Sequence, residues 1–215
     1  MEHLTPGRLL RASLRGMLLF VAACAAGAGG YYLYVRVLHT NFHSVVPCAV
    51  YRSAQPSGEQ IRRWADEYGL RTVINLRGVS DTAYYHEERR SAADANVRLI
   101  DIRLTAVHAP SGLWIRRLAT ALDSAELPVL LHCRDGADRA GIASAMAAMA
   151  IGGEDYRTAR DQLSARYLHV NPHTNRIVAL LEQYERWCAE RAVGTGGWAQ
   201  FRHWVLNHYH RAYYR

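Results

Sequence analysis

VLLHCRDGADRAG, residues Val129 to Gly141, begins as an apolar run and ends among small residues. Val129-Leu130-Leu131 has the unbroken apolarity of a strand buried on both faces in a parallel sheet. Ala140 to Met146 reads as a buried helix. Between them lies a short loop opened by Cys133 and closed by Arg139, with five residues between. A loop leading from a strand into a helix N-terminus gathers unpaired backbone N–H groups and the positive end of the helix dipole at one spot. A cysteine there has its thiolate favoured, and an arginine can fork onto two oxygens of a bound oxyanion. A nucleophile, an anion cradle and a clamp thus share one loop, the set of parts that phosphoryl transfer through a cysteinyl-phosphate needs.

Outward from this stretch, strands alternate with helices. Val45-Val46 and Ala49 to Arg52 read as short strands with a turn between, and Ser57 as the cap of a helix that ends at Gly69. Arg71 to Leu76 is a strand, Asp81 to Ala95 a charged helix, and Val97 to Leu104 a strand. Ser111 caps a helix to Asp123, and the helix after the loop runs to about Ile151. Helices are predicted over Asp155–Arg166 and from Asn171-Pro172 to Arg191. Such alternation specifies an α/β fold with a central, mostly parallel sheet flanked by helices.

The chain has 215 residues, half of them hydrophobic, which suits one globular domain and an appendage. Its formal charge of +7 rests on Arg rather than Lys and suggests anionic partners, phosphate groups or a membrane surface. The basic residues are scattered and no nucleic-acid-reading motif appears, which argues against nucleic acid. Cys24, Cys48, Cys133 and Cys188 fit neither a zinc site nor a disulfide framework. A Cys48–Cys188 bridge in an oxidising compartment stands against the reading of two free thiols.

Gly16 to Val35 carries no charge and, as a helix, would rise about 30 Å, the thickness of a bilayer core. Arg8, Arg11 and Arg15 precede it, which by the positive-inside rule leaves the N-terminus in the cytoplasm and the remainder outside. The division expected is a basic segment 1–15, a transmembrane anchor or signal segment 16–36, a catalytic domain 41–191 and a basic aromatic tail 192–215. With the bacterial branch resembled below, the expectation is a single-pass protein of the inner membrane with its domain in the periplasm. The alternatives are cleavage in the Ala/Gly tract and lipoprotein processing at Val21-Ala22-Ala23-Cys24. The tail places Trp198, Phe201, Val205, His208 and Tyr209 at helical spacing among basic residues, either an amphipathic helix on a membrane or a helix packed on the domain.

His132-Cys133-x5-Arg139 with Gly136 and Gly141 resembles the signature of protein tyrosine and dual-specificity phosphatases. Asn41-Phe42-His43, Tyr51-Arg52-Ser53-Ala54-Gln55-Pro56, Val73 to Arg77 and Arg166-Tyr167-x-His169 look like a bacterial branch similar to the atypical dual-specificity phosphatases of fungi and plants. The resemblance covers roughly Asn41 to Arg191. It implies Cys133 as nucleophile, with the amides of Arg134, Asp135, Gly136, Ala137, Asp138 and Arg139 as the phosphate cradle. Arg139 is then the clamp, and His132 supports the loop and the thiolate. No metal or cofactor is implied, since Arg139 and the amides neutralise the charge. Rhodaneses, which also set a cysteine between strand and helix, usually have a shorter loop.

Two departures mark the chain. The Ser or Thr that usually follows the Arg, and assists release of phosphate from sulfur, is Ala140 here. The loop Thr105 to Pro110, where the family usually carries an acidic proton donor, has no carboxylate. The candidates for general acid are Asp138, whose loop resembles that of myotubularin lipid phosphatases, Asp101, if its strand ends early, and His108. Expected substrates are a phosphorylated protein, phosphotyrosine first, or a small phosphate ester such as a phosphoinositide or inositol phosphate. The contrary readings are a phosphate-binding module with little turnover and a structural membrane protein.

Overall fold

The computed structural model describes residues 6–35, 40–105, 107–170 and 176–210. The chain divides into two compact units, residues 1–39 and 40–215. The first holds helix α1 (Pro6–Leu33), whose stretch Leu14–Leu33 is long and apolar enough to cross a membrane and has its side chains exposed throughout.

The second unit is built on five strands: β1 (His43–Val46), β2 (Val50–Ser53), β3 (Thr72–Asn75), β4 (Arg98–Asp101) and β5 (Val129–His132). Their order is β1-β2-β5-β3-β4, with β1 antiparallel to β2 and every other pairing parallel, so the expected mostly parallel sheet is present. The helices are α2 (Gly58–Tyr68), α3 (Ala83–Asp94), α4 (Gly112–Ser124), α5 (Asp138–Ala150), α6 (Tyr156–Arg160), α7 (Ala179–Glu190) and α8 (Trp198–Asn207). Alternation along the strands fills two cores. Tyr51, Val73 and Leu130 meet Ile61 and Trp64 of α2 on one face. Val50, Ile74, Val129 and Leu131 meet α4, α5, α7 and α8 on the other. Register places Ser53, His132, Asn75 and Asp101 side by side at the C-terminal edge, where open α/β sheets bind ligands.

Local signals account for much of this. Ser57 and Gln60 form a reciprocal capping box on α2, and Gly69 ends it with φ +66°. Four expectations change. Ser111 precedes α4 without making a side-chain cap bond. The helix expected over Asp155–Arg166 stops at Arg160, and a 3-10 turn follows at Ala165–Tyr167. The helix expected from Asn171 is α7, beginning at Ala179 after a 3-10 turn at Arg176–Val178; residues 171–175 lie outside those described.

The fourth change concerns the tail. The domain boundary placed at 191 is too early, because α8 buries Phe201, Trp204 and Val205 in the same core as α4 and α5. Arg202 Nε and Trp198 Nε1 both reach the carboxylate of Asp123 on α4, at 2.6 and 3.0 Å. Of the two readings of the tail, the apolar face of α8 follows the second and is packed on the domain.

Candidate active site

Cys133 follows β5 directly and is 2% exposed. The loop after it is held by its carbonyls. Arg134 O accepts from Gln55 N at 3.3 Å and Asp135 O from Asn41 Nδ2 at 3.0 Å. Gly136 O and Ala137 O accept from one guanidinium nitrogen of Arg52, at 2.7 and 3.0 Å. Four successive carbonyls are thus drawn outward into the framework. The amides of Gly136, Ala137, Asp138 and Arg139 have no acceptor among the described residues. The last two are helix-terminal donors of α5, which begins at Asp138. This is an anion cradle.

Glycine is required at one point. Gly136 has φ +69°, and a Cβ there would lie 2.6 Å from Ala54 N. Gly141 lets α5 approach Leu163, whose side chain would sit 2.6 Å from an added Cβ. Arg139 enters no side-chain hydrogen bond or ion pair among the described residues, so its fork is open to a ligand.

Arg52 is wholly buried on β2, and its second nitrogen donates to Gln162 O and Oε1 at 2.7 and 3.0 Å. Its guanidinium stacks 4.1 Å from the Tyr167 ring centre. Burial pulls its pKa down to about 10, opposed by attraction to Tyr167, Cys133 and Asp138, so it stays cationic at neutral pH beside the cysteine. Asn41, which also donates to Tyr167 O, is braced by His43 at 2.9 Å.

His132 Nε2 meets Glu88 Oε1 at 2.6 Å with both side chains fully buried. Gln55 donates to the other Glu88 oxygen at 2.9 Å, Arg77 donates to Gln55 Oε1 at 2.7 Å, and Arg77 also bonds the Tyr84 hydroxyl. Burial alone would raise the Glu88 pKa; His132, Gln55 and Arg77 together outweigh it and hold the carboxyl below its ordinary value.

The two aspartates proposed as acids have different surroundings. Asp138 is half-buried at the start of α5, with one oxygen 2.7 Å from His169 Nδ1. Strand β4 does end at Asp101, as its candidacy required. However, Asn75 Nδ2 and Tyr85 OH occupy its two oxygens at 2.8 and 2.7 Å. His108 is exposed on the loop beyond β4. Arg134 is exposed and paired with Asp135 at 3.0 Å.

Sequence reading assigned no task to Arg52, Gln55, Glu88 or His169. Glu88 had a signal available. With Tyr85, Ser91 and Ala92 it lies on the buried stripe of α3, an acid at a position where helical spacing calls for a core residue.

This sheet order and this loop define a phosphatase of the dual-specificity and protein-tyrosine class. Residues 39–174 match the family model described as "DSP-PTPase phosphatase fused to NAD+ Kinase", and the chain belongs to that family. No curated protein matches it. Among solved structures, it is similar to P. aeruginosa TpbA in complex with pTyr, with 19% identity over 79% of this chain and 92% of that one, and a TM-score of 0.54. The core catalytic domain of the S. cerevisiae PP-IP phosphatase SIW14 is 17% identical over 71% of this chain and 93% of that one, TM-score 0.52. PTPMT1 is 16% identical over 70% of this chain and 98% of that one, TM-score 0.53. These likenesses are of fold.

Proposed function

We propose that the protein hydrolyses phosphate monoesters through a cysteinyl-phosphate on Cys133, acting first on phosphotyrosine and other phosphorylated residues of proteins. The observation that carries this reading is the loop itself: a buried cysteine, four carbonyls tied outward, free amides at a helix N-terminus and an open arginine. The Cys133 thiolate attacks phosphorus, the P–O bond breaks, and its electron pair leaves with the alcohol oxygen. The amides from Arg134 to Arg139 and the guanidinium of Arg139 neutralise the phosphoryl oxygens as charge builds.

Asp138 is the proton donor in this proposal. His169 Nδ1–H holds one carboxyl oxygen and leaves the other to carry the proton to the leaving group. Asp101 fits the task less well, because Asn75 and Tyr85 occupy both of its oxygens and make it the corner that binds β3 to α3. Water then attacks phosphorus and gives a proton to the Asp138 carboxylate left by the first step, the S–P bond breaks and sulfur takes back its electron pair. Ala140 offers no hydroxyl to assist that second step.

A second substrate class has support of its own. SIW14 is a PP-IP phosphatase and PTPMT1 has been crystallised with PI(5)P, and α1 would bring the domain to a lipid surface. Phosphate release by the full chain in detergent, across phosphopeptides, phosphoinositides and inositol phosphates, separates the classes. Turnover lost in Cys133→Ser is expected; a wild type silent on every substrate, generic aryl phosphates included, would leave only a phosphate-binding module.

For location, the proposal is a single-pass inner-membrane protein with the domain outside the cytoplasm, supported by the apolar stretch Leu14–Leu33 and the arginines before it. Release of the domain by signal cleavage, or a lipid on Cys24, is the alternative. The mass of the mature chain, and protease access to the domain in intact spheroplasts, decide among them.

A further inference from the structure

Strand β4 closes one side of the sheet and pairs only with β3. The N–H groups of Arg98 and Ile102 are spent on Arg71 O and Asn75 O. Strand alternation therefore turns the backbone groups of Leu99 and Asp101 to the open side. An open edge of this kind is a template for another strand, and folds commonly cover it. Among the described residues no strand lies against it. Strands β2, β3 and β5 are buried along their whole length, whereas every residue of β4 keeps some exposure. Between β4 and α4 runs a groove of about 370 Å3, with Ile100, Ile102, Leu113 and Ala121 as its apolar lining. Leu113, in the first turn of α4, is 46% exposed there.

The free charges around the groove are of one sign. Arg98, Arg116 and Arg117 line it, and none of them enters an ion pair among the described residues. Arg117 lies over the Trp114 ring at 4.8 Å and Arg116 donates to Tyr209 O, so both guanidinium groups are held beside the groove. Asp101, the carboxylate in the lining, spends its oxygens on Asn75 and Tyr85. A second copy of the chain is a poor occupant. Two β4 edges paired antiparallel would bring the arginines of both copies together, in a chain of net charge +7. We propose that this groove binds an extended acidic segment of a partner protein, which adds to β4 as a further strand. The segment takes the open backbone groups of Leu99 and Asp101, which supply affinity whatever its sequence. On the face it turns toward α4, an apolar side chain enters the groove over Ile100 and Leu113. Carboxylates on either side of that residue meet Arg98, Arg116 and Arg117.

The test uses the full chain in detergent and a short fluorescein-labelled peptide in which glutamate, leucine and glutamate alternate with threonine. Anisotropy should show saturable binding with a Kd in the micromolar range. The same peptide with lysine for glutamate should bind at least about tenfold more weakly. Hydrogen exchange should slow at Leu99 and Asp101 when the acidic peptide is added, because their amides gain acceptors or cover. A contact through charge alone would leave them unchanged. Arg98→Glu combined with Arg117→Glu, both at exposed positions, should reverse the preference between the two peptides while the urea midpoint stays where it is. Binding that does not saturate by about 1 mM peptide overturns the proposal, and so does unchanged exchange at the two amides. Protection by nanodiscs containing phosphatidylglycerol, but not by the peptide, gives the groove to lipid and overturns it too. Protection that grows with protein concentration alone gives the groove to a second copy, with the same consequence. None of these readouts uses Cys133, so a protein silent in every phosphatase assay can still bind the peptide, and failure here leaves the catalytic reading untouched.

Discussion

Asp138 and Asp101 differ in what their oxygens are free to do, and that difference has a kinetic signature. Asp138→Asn should slow hydrolysis of esters with poor leaving groups by roughly a hundredfold or more and leave good leaving groups nearly untouched, the mark of a lost general acid. Asp101→Asn should lower stability, by unpairing the Tyr85 hydroxyl and Asn75, with no such leaving-group dependence. A leaving-group series measured on both variants checks this; a steep dependence in Asp101→Asn would reverse the assignment. Ala140, fully buried one residue after the clamp, carries a second expectation. The wild type should show a burst of product followed by slow turnover. Ala140→Ser should shrink the burst and raise the steady rate about tenfold, about 1.4 kcal/mol of barrier, in rapid-quench experiments. The residues behind these predictions were unequally legible. Cys133, Asp138, Arg139 and Ala140 lie within one short stretch, and five-residue spacing plus residue type suffices to read them. His169 reaches Asp138 from 31 positions away, a contact that no local pattern encodes.

Among the elements, the loop between β5 and α5 owes its shape to β2, three strands earlier in the chain and next to β5 in the sheet. Arg52 of β2 holds the Gly136 and Ala137 carbonyls, so the amides on the opposite side of those peptides are left free for the cradle. Arg52→Met should cost roughly 2–4 kcal/mol through orphaned buried carbonyls and weaken binding of oxyanions such as tungstate more than tenfold. Denaturant titration and inhibition by tungstate measure the two effects, and a stable variant with unaltered tungstate affinity would show that the loop holds its own shape. Helix α3 gives a pH expectation. Glu88 is held below its ordinary value of 4.5, a depressed carboxyl. Its share of stability is therefore present above about that pH and is lost as pH falls through the lower folded value. Acid unfolding followed by circular dichroism should steepen in that window in the wild type and flatten in Glu88→Gln. Periodicity located both elements, because strands buried on two faces and a capped helix such as α2 announce themselves. It gave no hint that an arginine in β2 and an acid in α3 serve the loop. A buried charge breaks the hydrophobic pattern and reads locally as solvent-facing.

At the scale of the molecule, α8 shows how an amphipathic pattern can be read in two ways. A stripe of aromatic residues flanked by arginines and histidines has the same spacing whether it lies on lipid or on protein. The choice is made by what else the fold leaves uncovered. Helices α4 and α5 present Leu118, Leu122, Ala143 and Met146 to the core, and α8 completes their cover with Phe201, Trp204 and Val205. Polar contacts fix its placement: Arg202 and Trp198 share Asp123, and Arg116 donates to the carbonyl of Tyr209 at 2.9 Å. Tyr209 also bonds Pro110 O, so the residues just after α8 are tied to the segment between β4 and α4. Phe201 has no exposure and packs edge-on against Tyr184 of α7 at 4.8 Å between ring centres. Phe201→Ala should therefore destabilise the protein by about 3–5 kcal/mol in urea unfolding, as truncation of a core aromatic does. An amphipathic helix resting on a membrane would lose bilayer affinity and almost no folding stability on the same change. A loss below about 1 kcal/mol would return α8 to the membrane, whereas the full loss in detergent without lipid makes residues 198–209 part of the catalytic domain.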